Sequence, residues 1–197
     1  MSIRRLIPVL LCAVVLGSCA TEPAALGPLV YMQQFDGNVS TIVWPVGAAR
    51  ASQSDTYAPD FRWHRADSTL DSLSGHRGQI VLVNFWATWC VYCKTEMPSI
   101  QAAANQMGDS LFVIGVSVDY PGNPFTTVQN YVQGKYTYQF AIDSVYTLFW
   151  QYFPWVTSPE LPVSCFIDHN GKLMNTVIGE IPDEQTVLYW ARKTETE

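Results

Sequence analysis

Basic residues are scarce in this chain: 11 Lys and Arg stand against 17 Asp and Glu, for a formal charge of -6. A polymer of phosphates would find little to hold, so a nucleic-acid-binding role is set aside. Histidine is scarcer still, at His64, His76 and His169, and the five cysteines contain a single close pair. Tetrahedral zinc needs two further ligands that no second pair supplies, which sets a zinc site aside as well. The apolar run at residues 6–16 falls short of the ~20 residues a transmembrane helix requires. No repeat or low-complexity tract is present. With 48% hydrophobic residues in a chain of 197, what remains is material for one compact domain plus some extra sequence.

The extra sequence lies first. Arg4 and Arg5, the apolar run to Leu16 and small residues up to Cys19 read as an export signal over residues 1–18. Losing it would take the formal charge from -6 to -8. Leu16-Gly17-Ser18-Cys19 resembles the lipobox of bacterial lipoproteins, which implies cleavage before Cys19 and acylation of that residue; the alternative is an ordinary secretory leader with an incidental cysteine. Ala20 stands where an inner-membrane retention signal would, by resemblance, carry Asp, so a periplasm-facing protein anchored in the outer membrane is favoured over the inner one. Cys12 would leave with the leader and Cys19 would become a thioether, leaving Cys90, Cys93 and Cys165. Three cysteines do not make a stapled scaffold, so the close pair of an exported chain is read as worked chemistry.

That pair sits at a junction. The apolar run at residues 80–85 is of the kind buried on both faces in a parallel sheet; it stops at Trp89-Cys90-Val91-Tyr92-Cys93, and a helix-forming segment follows at once. A cysteine at a helix start faces unpaired N–H groups and the positive end of the helix dipole, both of which stabilise a thiolate. An i, i+3 spacing puts both sulfurs on one side of the helix.

Along the chain, residues 29–35 and 39–46 are β-leaning runs around Asp36-Gly37, which predicts a hairpin that either packs on the main body or ornaments it. With the polar stretch at residues 48–55, it completes a lipidated tether and β-hairpin extension over residues 19–55. A main domain over residues 56–193 follows. The helix expected over residues 90–107 turns Ile100, Ala103, Ala104 and Met107 inward and carries a kink at Pro98. Residues 111–118 read as a second buried strand, and Asn123-Pro124 as the cap and first turn of a helix through Val128, Tyr131 and Val132. A short strand at residues 140–142 precedes a helix capped by Ser144 and carrying Val145, Leu148, Phe149 and Tyr152. Residues 163–167 and 173–178 flank the turn signal Asp168-His169-Asn170-Gly171 and are expected to pair antiparallel. A last helix opens at Pro182 and carries Val187, Leu188 and Trp190.

Ala58-Pro59-Asp60-Phe61, the run from Val83 to Cys90, Glu96-Met97-Pro98 and Phe166-Ile167-Asp168 with Gly171 make residues 57–190 resemble the TlpA-like, ResA-like branch of the thioredoxin superfamily, the exported thiol-disulfide oxidoreductases. The resemblance implies an α/β, thioredoxin-like fold: a central mixed sheet flanked by helices. It implies Cys90 as the attacking thiol, Cys93 as the resolving one and Glu96 as an acid that moves protons at the thiols, with Asn84 where ordinary thioredoxins carry a buried Asp. It makes Leu161-Pro162 the cis-proline site that faces the dithiol, with Trp89 and Tyr92 bordering the substrate. The expected function is reduction of disulfides in exported proteins by a monomer, without cofactor or metal, kept reduced by a membrane electron donor. The alternatives are a non-catalytic binding module on the same fold and a thiol peroxidase; for the latter, Thr88 and Asn84 do not match the required pattern. Cys165, in a buried strand, reads as an inert small hydrophobe.

Two features depart from that family. Val91-Tyr92 lacks the proline usual before the second cysteine. The segment at residues 152–160 is longer and more aromatic than the usual approach to the cis-proline, and leaves Trp155 either at the groove or in the core.

Overall fold

The computed structural model describes residues 35–43, 57–65 and 67–196. The signal segment with Cys12 and Cys19, and the tether apart from residues 35–43, lie outside them. Strands β1 (Phe35–Asp36) and β2 (Val39–Val43) form a hairpin whose turn is Gly37-Asn38. The turn falls one residue later than expected, because Asp36 is still paired with Val39 and the positive φ of +56° belongs to Gly37, which has no Cβ to resist it. β2 is built into the sheet. It runs parallel to β7 (Gln139–Ile142) and antiparallel to β3 (Arg62–His64), which pairs in turn with β4 (Leu70–Ser72). Asn38 stitches the turn down: its side-chain amide donates to the carbonyls of Tyr136 and Tyr138, and its own carbonyl accepts from Phe140 N–H.

The centre of the sheet is β5 (Ile80–Trp86), every residue of which is buried. It runs parallel to β6 (Leu111–Ser117) and antiparallel to β8 (Val163–Ile167), which pairs with β9 (Leu173–Ile178) to give the order β4-β3-β2-β7-β6-β5-β8-β9. The unbroken apolar run of β5 follows from this position, since neither face meets water. Gly115 of β6 lies between Asn84 and Phe140 in the register, where an added Cβ would stand 2.8 Å from the Phe140 ring. Only glycine admits the Phe140 and Trp86 rings together there.

Helix α1 (Val91–Met107) runs through Pro98 as one continuous helix. Cys90 is its N-cap, so the helix proper starts one residue after the expected boundary. Its buried side carries Cys93, Glu96, Met97, Ile100 and Ala103. Helix α2 (Pro124–Val132) is capped by Asn123, whose side chain accepts from Thr126 N–H. Helix α3 (Thr147–Tyr152) is shorter than expected, with Val145 exposed outside it. Its N-cap position is Tyr146, in a left-handed conformation, and not Ser144; the first N–H groups are satisfied from further back, by the Asp143 carboxylate, which accepts from Thr147, Leu148 and Phe149 N–H. Helix α4 (Glu184–Thr196) starts two residues after Pro182, with the Asp183 carboxylate accepting from Thr186 N–H and hydroxyl.

The two faces of β5 receive different partners. Phe85 packs against Phe149, Tyr152 and Phe153 at ring distances of 5.2–5.7 Å. On the opposite side Asn84 meets α1, and Phe166 of β8 lies near Trp190 of α4. Thus α1 and α4 cover one face and α3 the other.

Candidate active site

Strand directions bring several loops to one end of the sheet. β5 and β6 both finish there, and β8, antiparallel to β5, starts there with Val163 opposite Phe85. Ligands of open α/β sheets gather at such carboxyl ends. Here the end carries the dithiol after β5, residues 118–123 after β6, and Leu161-Pro162 before β8.

Cys90 and Cys93 are joined in a disulfide, with an S–S distance of 2.03 Å and a Cα–Cα separation of 5.3 Å. The Cys90 sulfur accepts from Cys93 N–H at 3.1 Å, so the sulfur itself fills the role of the helix cap. Cys93 is fully buried while Cys90 keeps 7% of its surface accessible, so approach from outside reaches Cys90 first. Trp89 and Tyr92 flank it, 58% and 65% exposed.

The loop leading into Cys90 is held by a group that the sequence reading passed over. Asp119, just past β6 and buried, accepts from Thr88 N–H, from the Thr88 hydroxyl and from the Ser117 hydroxyl at 2.6 Å. Cys90 N–H donates to Ala87 carbonyl within the same turn. The available signal was an acidic residue directly after a buried strand, where a charge must find donors.

Glu96 is fully buried under the dithiol turn. Its carboxylate accepts from Asn84 Nδ2 at 2.7 Å and from Ile181 N–H at 2.9 Å. Burial pushes its pKa up from 4.5 to about 7; the two hydrogen bonds pull the other way and the Glu180 charge adds to the rise. Asn84 Nδ2 also reaches Ser164 Oγ at 3.0 Å, and Asn84 Oδ1 has no hydrogen-bond partner among the described residues. The position taken by an acid in ordinary thioredoxins is therefore filled by a neutral amide that hands its proton donor to Glu96.

The Leu161-Pro162 peptide is cis, and Pro162 carbonyl accepts from Gly179 N–H at 2.9 Å. A second cis bond, Tyr120-Pro121, follows Asp119 at the same end of the sheet. Cys165 is fully buried in β8, its thiol pushed up to about 12 by burial, with Thr176 Oγ1 at 4.0 Å. A thiol so held is not ionised at neutral pH. Trp155 is exposed and meets Phe153 edge-on at 6.1 Å, so it is not a core filler.

Residues 55–176 match the model of the AhpC/TSA family. The chain belongs to that family. Within it the chain stands with the thioredoxin-fold thiol-disulfide oxidoreductases. Thiol-disulfide oxidoreductase ResA of Geobacillus thermodenitrificans is 27% identical over 165 residues, 82% of this chain and 83% of that protein. The thioredoxin-like protein YneN of Bacillus subtilis is 38% identical over 65 residues; the chain spans 38% of its length. The crystal structure of the exposed lipoprotein thioredoxin Etrx1 of Streptococcus pneumoniae superposes with a TM-score of 0.55 at 25% identity, covering 68% of this chain and 98% of that one. The thioredoxin-like fold expected from the resemblance is the fold observed, with β2 joined to the sheet.

Proposed function

We propose that the chain is an exported, lipid-anchored thiol-disulfide oxidoreductase that reduces disulfides of exported proteins, with Cys90 attacking and Cys93 resolving. The observation that carries this reading is the Cys90–Cys93 disulfide at the start of α1, with Cys90 as N-cap and as the accessible member of the pair. The helix N-terminus stabilises the Cys90 thiolate in the reduced protein. That thiolate attacks one sulfur of a substrate disulfide, forming a mixed disulfide while the second substrate sulfur leaves and takes a proton. Cys93, deprotonated, then attacks the Cys90 sulfur and releases the first substrate sulfur as a thiol. The substrate gains two electrons and two protons; the protein ends as the Cys90–Cys93 disulfide. A dithiol electron donor at the membrane returns it to the reduced form.

Glu96 receives the Cys93 proton in this scheme. It stands one helical turn beyond Cys93, and its pKa of about 7 lets it hold or release a proton near neutral pH. The Glu96 carboxylate is closed off from solvent, its two oxygens accepting from Asn84 Nδ2 and Ile181 N–H. Trp89, Tyr92, Leu161 and Pro162 border the substrate. A peroxidase is not favoured, because the Thr88 hydroxyl donates its proton to Asp119. Cys19 carries the anchor, and likeness to Etrx1, an exposed lipoprotein thioredoxin, supports that reading by analogy.

Reduction of insulin disulfides tests the mechanism: Cys90→Ser is expected to lose activity on the order of a thousandfold or more. Cys93→Ser should accumulate mixed disulfides through Cys90, identifiable by mass spectrometry. Retained insulin reduction in Cys90→Ser would point instead to the binding module. Cys19→Ala should move the protein from the membrane to the soluble fraction; unchanged membrane association would remove the anchor.

A further inference from the structure

Beside the cis-proline lies a cavity of about 240 Å3 that the redox chemistry does not use. Val163, Thr176 and Ile178, from β8 and β9 on the α3 face of the sheet, line one side of it. Phe153, Trp155 and Val156 make the wall, and the exposed Glu160 stands at the mouth. Four of these residues, Phe153, Trp155, Val156 and Glu160, come from residues 152–160, the segment whose length and aromatic content depart from the resemblance.

Two large apolar groups on this cavity remain in water, Trp155 at 57% and Ile178 at 63% exposure. Exposed apolar surface gathered around a concavity is a mark of a binding site. The volume lies below the roughly 300–1,000 Å3 of drug-sized ligand sites, which fits one side chain better than a whole cofactor. Its place is the second point. Val163 follows Pro162 directly, and no backbone hydrogen bond among the described residues uses the N–H or carbonyl of Leu161. An extended peptide paired there with its cysteine at Cys90 would carry a neighbouring side chain over β8 and β9. Its chemistry is the third point: an apolar lining with one carboxylate at the rim.

From this we infer that the cavity is a specificity pocket that seats a large aliphatic or aromatic side chain next to the substrate's reacting cysteine, and that Glu160 favours a basic residue beside it over an acidic one. The inference rests on the oxidoreductase reading and deepens it from disulfides in general to a polypeptide disulfide with an apolar flank. Trp89 and Tyr92, one on each side of Cys90 in sequence, give apolar contact of no particular shape; the cavity is the part that selects.

The test uses the reduced full chain and a set of short peptides, each carrying one cysteine as its mixed disulfide with glutathione. Phe or Ser is set in turn at the two positions on either side of that cysteine. Oxidation of the protein should be about tenfold faster with Phe than with Ser at one of those positions, the scale of discrimination an apolar pocket achieves. Trp155→Ala, which opens the wall, and Thr176→Phe, which fills the cavity, should each cut that ratio to about threefold or less. Their rates with glutathione disulfide, which has no large apolar side chain to seat, should stay within about twofold of the wild-type rate. Glu160→Lys should reverse a preference for Lys over Glu beside the Phe. Equal rates for Phe and Ser peptides at every position, or full discrimination kept by both pocket variants, would overturn the pocket while leaving the redox reading intact. A wild-type protein that reacts with neither the peptides nor glutathione disulfide would overturn the redox reading itself.

Discussion

The two faces of β5 do opposite things with burial. On the α3 side, Phe85 is enclosed by Phe149, Tyr152 and Phe153, and this residue contributes packing alone. On the α1 side, one residue earlier, Asn84 sits among Glu96 and Ser164, and burial has been spent on holding a carboxylate where water would normally keep it ionised. One strand thus presents a scaffold to one helix and a buried carboxylate's hydrogen-bond partner to another. Aromatic burial stabilises at every pH, whereas a buried carboxylate makes stability depend on pH.

Removing the aromatic partner should produce the largest change in stability. Phe85→Ala leaves a cavity beneath three rings and is expected to cost about 3–5 kcal/mol by denaturant unfolding, with the pH dependence of stability unaltered. A loss below 1 kcal/mol would mean that the α3 face collapses to fill the gap and is no rigid scaffold.

Glu96→Gln sharpens the comparison from the other side. Its native pKa of about 7 exceeds the unfolded 4.5, so the native state binds the proton more tightly. The stability from this group is present in full below about pH 4.5 and is lost as pH rises through 7. The loss amounts to about 3 kcal/mol on the order-of-magnitude scale of 1.36 kcal/mol per unit. Asp143, pushed by burial from 3.8 to about 6 against its three N–H donors, slopes the same way between those values. Asp71 slopes the other way at acid pH: burial opposes its ionisation, but the hydrogen bonds of Arg65 and His76 outweigh that and lower its pKa. Melting temperatures between pH 5 and 8 should therefore fall steeply in the wild type and less steeply in Glu96→Gln. The same variant should lose the ionisation near pH 7 from the pH profile of disulfide reduction. A profile unchanged by the substitution would leave Glu96 as a structural acid.

The smallest effect is expected at the loop between the faces. Thr88→Val deletes the hydroxyl donated to Asp119 but keeps the amide bond, and should cost about 1 kcal/mol. Disulfide-exchange rate should drop more than stability predicts if that loop positions Cys90; a rate unchanged within error would separate the two.

Much of this arrangement was legible because it is local. The apolar run of β5, the i, i+3 cysteines at a helix start and the Asn123-Pro124 cap each follow from a few neighbouring residues, and each holds in the fold. Asp143 was less legible than Ser144, since it satisfies the first N–H groups of α3 from behind the N-cap position, which Tyr146 takes in a left-handed conformation. The hairpin turn slipped by one residue because strand register is set by the partner β7, about a hundred residues away, through Asn38. Asp119 carried only the weak signal of a charge after a strand, and its donor Thr88 lies 31 residues earlier.

By itself the sequence determined where the paired sulfurs lie, which helix begins beneath them and which family the motifs resemble, because spacing along a helix and unbroken apolar patterning are properties of short stretches. Only the tertiary structure decided that Glu96 is cut off from water, that Trp155 lines a cavity instead of the core, and that β2 completes the sheet. Burial and pairing depend on groups brought together from distant parts of the chain, and desolvation of a carboxylate exists only once those parts have closed over it.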